Sequence, residues 1–394
     1  MKTCIAVLFG CASVEHEISV ISAVQAMHSI DREKYDIFPI YVTKSREMYT
    51  GDALLDIASF KDIPALLKQC RRITLIRENG KVLAKYTDKK AFEKNAGTPI
   101  DVAFPIVHGT NCEDGTIAGY LEMLGLPYIS CGCLAAAVGM DKAIFKYVLQ
   151  ANGLPVLPCV TFTARSYATD GEAILERIEK EIGYPLIIKP VNLGSSVGIS
   201  KVENRDELKS AILLACSFAA EILAEHAVGA LREINCSVVG EGEDCEASLL
   251  EEPFMKDKIL SYDDKYRSNS SGAKGMASLT RQCPALLPDE KTEEIRSIAK
   301  RVFAAIKASG VVRIDFLMDT EDNDKVYVNE INTIPGSLSF YLWEPAGIPY
   351  PRLIDKLVDI AFKRQRSREQ LMFTLDTNIL SEGGLKFGGK GGKL

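Results

Sequence analysis

The sequence predicts an α/β protein of two or three domains, and three observations carry that reading. Short apolar runs alternate with segments of helical period, joined by turn residues such as Gly, Pro, Asn and Asp; sheets crossed by helices produce this pattern. The chain has 394 residues, too many for one ordinary core. Its composition, 47% apolar and 25% charged, is that of a globular protein.

The elements follow in chain order. Cys4–Phe9 is an apolar run with one Lys before it, short enough to read as a first strand rather than a secretory leader. Gly10-Cys11-Ala12-Ser13 leads into an expected helix from about Glu17 to Ile30. Strands are expected near Tyr35–Val42, Arg72–Ile76 and Val102–Val107, then a helix over Glu113–Leu124 and a short strand over Leu126–Ser130. Residues 1–130 thus form an N-terminal α/β unit whose sheet is expected to be mostly parallel.

A second unit spans 131–225. A helix over Met140–Asn152 stops at Gly153, with Pro155 beyond. Val160–Phe162 is a strand, Gly171–Ile182 an amphipathic helix, and Tyr184–Pro190 a buried strand that carries Lys189. Asp206–Ala219 is a helix and Glu221–Glu225 a strand. A third unit, 226–365, alternates again and closes with a helix from about Pro351 to Arg364. Residues 366–394 turn Gly- and Lys-rich and are expected to form a flexible tail.

The net charge is −6 without a large basic cluster, which argues against nucleic acid as a partner. No apolar stretch reaches the roughly 20 residues that span a bilayer. The eleven Cys are odd in number and lack any Cys-x-x-Cys pair. Cys131-Gly132-Cys133 is too close for a zinc knuckle, and the four His are dispersed. Free thiols in a reducing cytoplasm are the expected state.

The chemistry concentrates near the C-terminal end of the third unit. Val311, Val312, Ile314, Phe316 and Leu317 make an apolar strand that carries Arg313 and Asp315. Polar residues from Asp319 to Asp324 turn the chain into a second strand, Val326–Asn332. Residues two apart on a strand share a face, so Glu330 and Asn332 stand side by side. With Asp315 opposite, two carboxylates and an amide converge. Hard oxygen ligands of this kind suit Mg²⁺ that is also held by phosphates. A polar strand face open to water is the plainer reading.

Lys189 ends an apolar strand, and a buried ammonium needs a counter-charge such as a phosphate. Downstream, Gly194-Ser195-Ser196-Val197-Gly198 could wrap phosphate oxygens with N–H groups and hydroxyls. Lysine, loop and distant carboxylate–Asn pair together point to a nucleoside triphosphate with Mg²⁺, although Gly-x-x-x-x-Gly-Lys-Ser/Thr is absent. Glu225 and Glu233 could accept from an adenine amino group or ribose hydroxyls; surface glutamates are the alternative.

Taken together the motifs resemble the ATP-grasp fold and, within it, the D-alanine–D-alanine ligase family. The resemblance covers residues 1 to about 365 and rests on eight motifs in family order. They are Ser13-Val14-Glu15-His16-Glu17-Ile18-Ser19, His108-Gly109 with Glu113-Asp114-Gly115, Met140-Asp141-Lys142, Lys189-Pro190, Gly194–Gly198, Lys265-Tyr266, Arg313-Ile314-Asp315 and Asn329–Gly336. It implies a three-domain protein: an N-terminal substrate-binding domain over 1–130, a central ATP-grasp domain over 131–225 and a catalytic ATP-grasp domain over 226–365. The implied reaction phosphorylates one D-alanine with ATP to an acylphosphate, which the amine of a second D-amino acid attacks, for peptidoglycan precursor synthesis. Glu15 would hold the first substrate's ammonium, linked to Ser195 and Tyr266, and His108 would sit near its carboxylate. Lys142, Lys189, Ser195, Ser196 and Lys265 would serve the phosphates, and Glu225 and Glu233 the nucleoside. Asp315, Glu330 and Asn332 would bind two Mg²⁺, with Mn²⁺ as an alternative ion. Arg313 and the Gly336 N–H would stabilise the tetrahedral oxyanion. The resemblance also implies small-molecule substrates and a homodimer. Tyr266 falls where family members that form dipeptides carry Tyr, so an amine acceptor is expected.

The residues alone admit plainer readings. Glu15 could cap the following helix, His108 could be a satisfied core histidine, and Arg313 an ordinary ion-pair residue. One departure matters. The family pattern has Ser-Leu where this chain has Tyr341-Leu342, and that Ser binds the acceptor carboxylate in members that make D-alanyl-D-alanine. Tyr341 or Ser339 could substitute, so a second acceptor such as D-serine stays open.

Overall fold

The computed structural model describes residues 2–88, 96–194, 197–253 and 281–372. Three sheets organise them.

The first sheet has seven strands: β1 (Thr3–Gly10), β2 (Tyr35–Val42), β3 (Met48–Thr50), β4 (Arg71–Glu78), β5 (Lys81–Tyr86), β6 (Thr98–Ile100) and β7 (Val102–Ile106), in the order β6-β5-β4-β3-β2-β1-β7. Ile5 to Phe9 are fully buried, as befits a strand covered on both faces. The expected parallel sheet is parallel only at its β2-β1-β7 end, where β1 pairs with β2 and with β7. The other pairings are antiparallel. Connection length explains the difference. Helix α1 (His16–Ser29) carries the chain from β1 back to β2, whereas only a short turn separates Val42 from Met48, too little chain for a crossover. Helices α2 (Ile63–Gln69) and α3 (Thr116–Leu124) complete this part of the chain.

The second sheet is antiparallel, with β8 (Cys159–Thr163), β9 (Leu186–Pro190), β10 (Ser200–Val202) and β11 (Glu221–His226) in the order β10-β9-β11-β8. It follows α4 (Cys133–Met140) and α5 (Lys142–Ala151). Leu175 and Ile178 of α6 (Ala164–Glu181) and Leu208 and Ile212 of α7 (Arg205–Cys216) close one small core with Ile188 and Ile222. Helix α6 begins at a capping box, Thr163 with Ser166, which satisfies N–H groups that the first turn leaves unbonded.

The third sheet, also antiparallel, joins β12 (Leu231–Glu241), β13 (Asp244–Pro253), β14 (Arg281–Gln282), β15 (Ser309–Asp319) and β16 (Lys325–Asn332) in the order β14-β13-β12-β15-β16. Val312, Ile314, Phe316 and Met318 turn one face of β15 into the core that α8 (Asp289–Ala305) covers with Ile295, Val302 and Phe303. After β16 come a short turn and α9 (Phe340–Trp343), then α10 (Tyr350–Glu369). This last helix runs past the expected end at Arg364. It returns to the first core, where Leu353, Ile354 and Leu357 join Phe9 and Phe104. Its Arg364 donates to the carbonyls of Ser130 at 2.6 Å and Tyr128 at 2.7 Å.

The end of β1 is tightly constrained. Gly10 has φ +90°, and a Cβ there would lie 2.6 Å from the Val42 carbonyl oxygen. Only glycine takes both the conformation and the close approach without strain. Gly10→Ala should therefore destabilise the protein by about 2 kcal/mol, read as a lower midpoint in urea unfolding; an unchanged midpoint would contradict this constraint.

Candidate active site

Strand register builds the site. Asn235 pairs with Glu251 on one side and with Asp315 on the other, and Asp315 pairs with Glu330. Glu251, Asn235, Asp315 and Glu330 therefore form one row across β13, β12, β15 and β16, on the face opposite the Phe316 core. Glu330 reaches that face because of an irregularity. Val326 and Val328 alternate into the core, but the next core residue is Ile331, and the β15–β16 register shifts between Asp315 and Phe316. A bulge at Asn329 resets the phase. Without it, Glu330 would face the core.

Asp315 is held on three sides. Arg313 donates to it through Nε at 2.6 Å and Nη2 at 2.7 Å, and Asn332 Nδ2 donates at 3.0 Å. Burial pushes the Asp315 carboxyl up against the pull of Arg313, and Glu330 and Glu251 push it further in the same direction. Burial alone would loosen the Arg313 proton, but Asp315 outweighs it and keeps the guanidinium firmly charged. Among the described residues no group of three or more His, Cys, Asp or Glu stands ready-made around a metal. The donor set is instead two carboxylates and an amide, Asp315, Glu330 and Asn332. Its hard oxygens and mutual repulsion fit Mg²⁺.

The lysines approach from helix α5 and from strand β9 of the second sheet. Asp141 caps α5 by accepting from the N–H groups of Ala143 and Ile144, which sets Lys142 on its first turn. Lys142 Nζ donates to the Leu193 carbonyl at 2.7 Å and lies 3.5 Å from Glu330. Lys189 pairs with Glu225 and donates to the Asn329 amide oxygen at 3.2 Å, so the bulge serves the lysine too. Lys146, fully buried, lies 2.8 Å from the other Glu225 oxygen. Burial would raise the Glu225 carboxyl, but Lys189 and Lys146 outweigh it and hold it at about 2. Glu225 is thus an anionic hub beneath the lysines, and Glu233 sits two residues before Asn235 on the same face of β12.

The first sheet supplies the opposite wall. Glu15 is the N-cap residue of α1 by position, yet its side chain makes no cap bond. The carboxylate lies instead against Gly109 and Gly194: a Cβ on Gly109 would fall 2.8 Å from Glu15 Oε2, and one on Gly194 3.7 Å away. His108 is buried with both ring nitrogens engaged, Nδ1 2.8 Å from the Ile334 carbonyl oxygen and Nε2 2.8 Å from Ser22 Oγ. Burial lowers its pKa and keeps the ring neutral. Glu113 accepts from the N–H groups of Gly109 at 2.6 Å and Ile334 at 3.3 Å. His108 and Glu113 therefore tie the first sheet to the chain just before Gly336.

That chain makes an unusual turn. Ser337, Leu338 and Ser339 all take left-handed conformations, with φ of +50°, +53° and +52°. Ser337 is fixed to Gln25 at 2.7 Å. Ser339 is completely buried and its hydroxyl finds no partner. Leu342 is buried as well, and Trp343 donates to Ser237 Oγ at 3.0 Å. Tyr341 packs beneath Arg281, 3.8 Å from guanidinium carbon to ring centre, with its hydroxyl 3.4 Å from Glu251.

Glu15, His108, Lys142, Lys189, Glu225, Arg313, Asp315, Glu330, Asn332 and Gly336 thus border one region between the three sheets. Ser195, Ser196, Lys265 and Tyr266 lie outside the described residues. Sequence reasoning noted Glu113 and Asn329 within motifs but gave them no role, and it missed Lys146 and Glu251. Lys146 was legible, since it stands four residues after Lys142 and so shares its helix face. The broken alternation Val326, Val328, Ile331 signalled the bulge. Glu251 had no signal, because its place depends on pairing across three strands.

The family model described as D-ala D-ala ligase N-terminus matches residues 4–131, and that described as D-ala D-ala ligase C-terminus matches residues 148–359. A D-alanine–D-alanine ligase of Thermosipho melanesiensis is 40% identical over 378 residues, 95% of this chain and 98% of the relative. One from Caldicellulosiruptor bescii is 39% identical, covering 95% and 99%. Among solved structures, the D-alanine–D-alanine ligase from Coxiella burnetii superposes with TM-score 0.77 at 31% identity, over 93% of this chain and 96% of that one. The VanG D-Ala:D-Ser ligase from Enterococcus faecalis gives 0.76 at 29%, over 92% and 100%.

Glu113 yields a pH prediction. Burial, then the Glu15 charge, push its carboxyl from 4.5 up to about 8 against the two N–H donors, and Glu330 adds to the rise. Between those values the folded state keeps a proton that the unfolded state has lost, so stability falls as pH rises through this window. Glu113→Gln should flatten the dependence of the melting midpoint between about pH 5 and about pH 8. An identical slope in both proteins would show that Glu113 does not titrate there.

Proposed function

The chain belongs to the D-alanine–D-alanine ligase family, and we propose that it joins two D-alanines at the expense of ATP, through a D-alanyl phosphate, to supply peptidoglycan precursors. The observation that carries this reading is the row of Asp315 and Glu330 with Lys142 only 3.5 Å from Glu330, facing Glu15 across the site.

The proposed roles follow from the geometry. A carboxylate is a poor electrophile, so its oxygen first attacks the γ-phosphorus of ATP, and ADP leaves. Lys142 and Lys189 bind phosphate oxygens, exchanging part of their contact with Glu330 and Glu225 for the nucleotide. Glu225 and Glu233 serve the nucleoside. Asp315, Glu330 and Asn332 would hold Mg²⁺, two ions in the family pattern, which when bound neutralise phosphate charge. Glu15 receives the ammonium of the first substrate; Gly109 and Gly194 leave room beside its carboxylate. The amine of the second substrate then attacks the acyl carbon, and the phosphate leaves as the amide forms. Arg313, its plane fixed by two bonds to Asp315, and the Gly336 N–H stabilise the oxyanion. His108, with both nitrogens engaged, orients the 334–336 chain from beneath. Catalysis is then positioning and charge neutralisation.

A different acceptor, such as D-serine, is the second reading, favoured by Tyr341 in place of the family Ser. A cytoplasmic homodimer belongs to the same proposal. The eleven unpaired cysteines support the compartment, and no helix among the described residues is long and apolar enough to cross a membrane.

Phosphate release from ATP should depend on D-alanine, and mass spectrometry should find D-alanyl-D-alanine. Release that appears only when D-serine is added would establish the second reading. Glu330→Gln should lower kcat by about a thousandfold or more with the melting midpoint retained; near-normal turnover would remove Glu330 from the metal site.

A further inference from the structure

The 337–343 segment leaves one question that the family pattern cannot answer: what receives the carboxylate of the second amino acid. Ser339 is excluded by its place, since its hydroxyl is sealed inside the left-handed turn. Leu342 is buried and apolar. Tyr341 remains, and it stands within a cluster that the sequence did not announce.

Glu251 lies at the centre of that cluster. It is almost fully buried. One of its oxygens accepts from Asn235 Nδ2 at 3.0 Å and lies 3.4 Å from the Tyr341 hydroxyl. The other accepts from Arg281 Nη1 at 2.9 Å. Arg281 also stacks on the Tyr341 ring at 3.8 Å. Strand β14 fixes its backbone, since Arg281 pairs with Pro253 and Gln282 with Glu252. The cluster borders the reaction centre: Asn235 is the register neighbour of both Glu251 and Asp315.

We propose that the Tyr341 hydroxyl and the Arg281 guanidinium receive the α-carboxylate of the acceptor amino acid, with Glu251 as the residue that positions both. The inference rests on the ligase reading above. Its physics is direct. A carboxylate arriving beside Arg313 needs a cation and an oriented donor. Arg281 supplies a planar fork, stacked on the tyrosine so that the two move as one unit. The 3.4 Å contact from Tyr341 to Glu251 is at the outer limit of a hydrogen bond, so the hydroxyl can be given up to the substrate at small cost. Glu251 stays bonded to Asn235 and Arg281 and keeps the guanidinium in place. A serine in the same position would reach the acceptor with one short hydroxyl; here a longer donor and a cation act together, and they select for the charge of the acceptor.

The test uses the full chain with ATP and D-alanine, resolving the half-saturation constants of the first and second sites. D-alanine and its uncharged amide are compared as acceptors. The wild type should prefer D-alanine over the amide by about a hundredfold or more. Tyr341→Phe and Arg281→Lys should each reduce that preference about tenfold or more through the acceptor KM, with the donor KM within about twofold. Glu251→Gln should do the same, and if it fails to fold, Tyr341→Phe, which removes one oxygen, decides. Preference retained in Tyr341→Phe and Arg281→Lys, or donor and acceptor constants that move together, would overturn the assignment while leaving the ligase reading intact. A wild type without any D-amino-acid-dependent phosphate release would overturn that reading and this inference with it.

Discussion

Three carboxylates in one row are the constraint on which the rest of the site depends. Glu251, Asp315 and Glu330 point to one face because strand register leaves them no other. Like charges brought together out of water repel. The protein meets this with Arg281 against Glu251, Arg313 against Asp315 and Lys142 near Glu330. Each carboxylate has its own cation, each from a different strand or helix. Such pairing offsets the desolvation cost without adding much net stability. Its product is a fixed arrangement of paired charges on one face of the third sheet.

The same logic explains why the site needs all three sheets. Lys189 belongs to the second and Lys142 to helix α5, yet the groups they touch, Asn329 and Glu330, are on the third. His108 and Glu113 belong to the first, yet they hold Ile334, next to the Pro335–Gly336 turn. The returning helix α10 adds a mechanical link, because it continues from the third sheet but buries Leu353 and Leu357 in the first core. The N-terminal wall and the β15–β16 hairpin are therefore referenced to one another at both ends of the 333–349 segment.

Much of this was legible in the sequence, and the exceptions share a cause. The β15–β16 hairpin, its two carboxylates, Asn332 and the strand bearing Lys189 follow from alternation and turn residues, which are local. Parallel pairing was overestimated because strand–helix alternation says nothing about the hairpin extension β3 to β6. The bulge at Asn329 broke the alternation visibly, but its consequence, turning Glu330 away from the core, needed the partner strand. Glu251 and Arg281 could not be found at all. They are thirty residues apart in the chain and meet Tyr341 only through packing of β13, β14 and α9. The sequence also left Ser339 and Tyr341 equivalent as hydroxyl donors, and burial separates them.

The departure at Tyr341 then becomes part of a larger substitution rather than a local loss. A tyrosine placed where the family pattern has serine would be an obstruction if it hung free, because its ring fills space that an acceptor needs. Here the ring is stacked under Arg281 and braced edge-on by Phe340, with centroids 6.1 Å apart, so its position is set before substrate arrives. Phe340 in turn stacks on Tyr350 at 4.6 Å, at the start of α10. The chain of contacts runs from the acceptor side of the site into the N-terminal core. Rigid aromatic support of this kind lowers the ordering cost of binding, and in the proposed reading it makes the acceptor pocket a property of the whole C-terminal segment instead of one side chain.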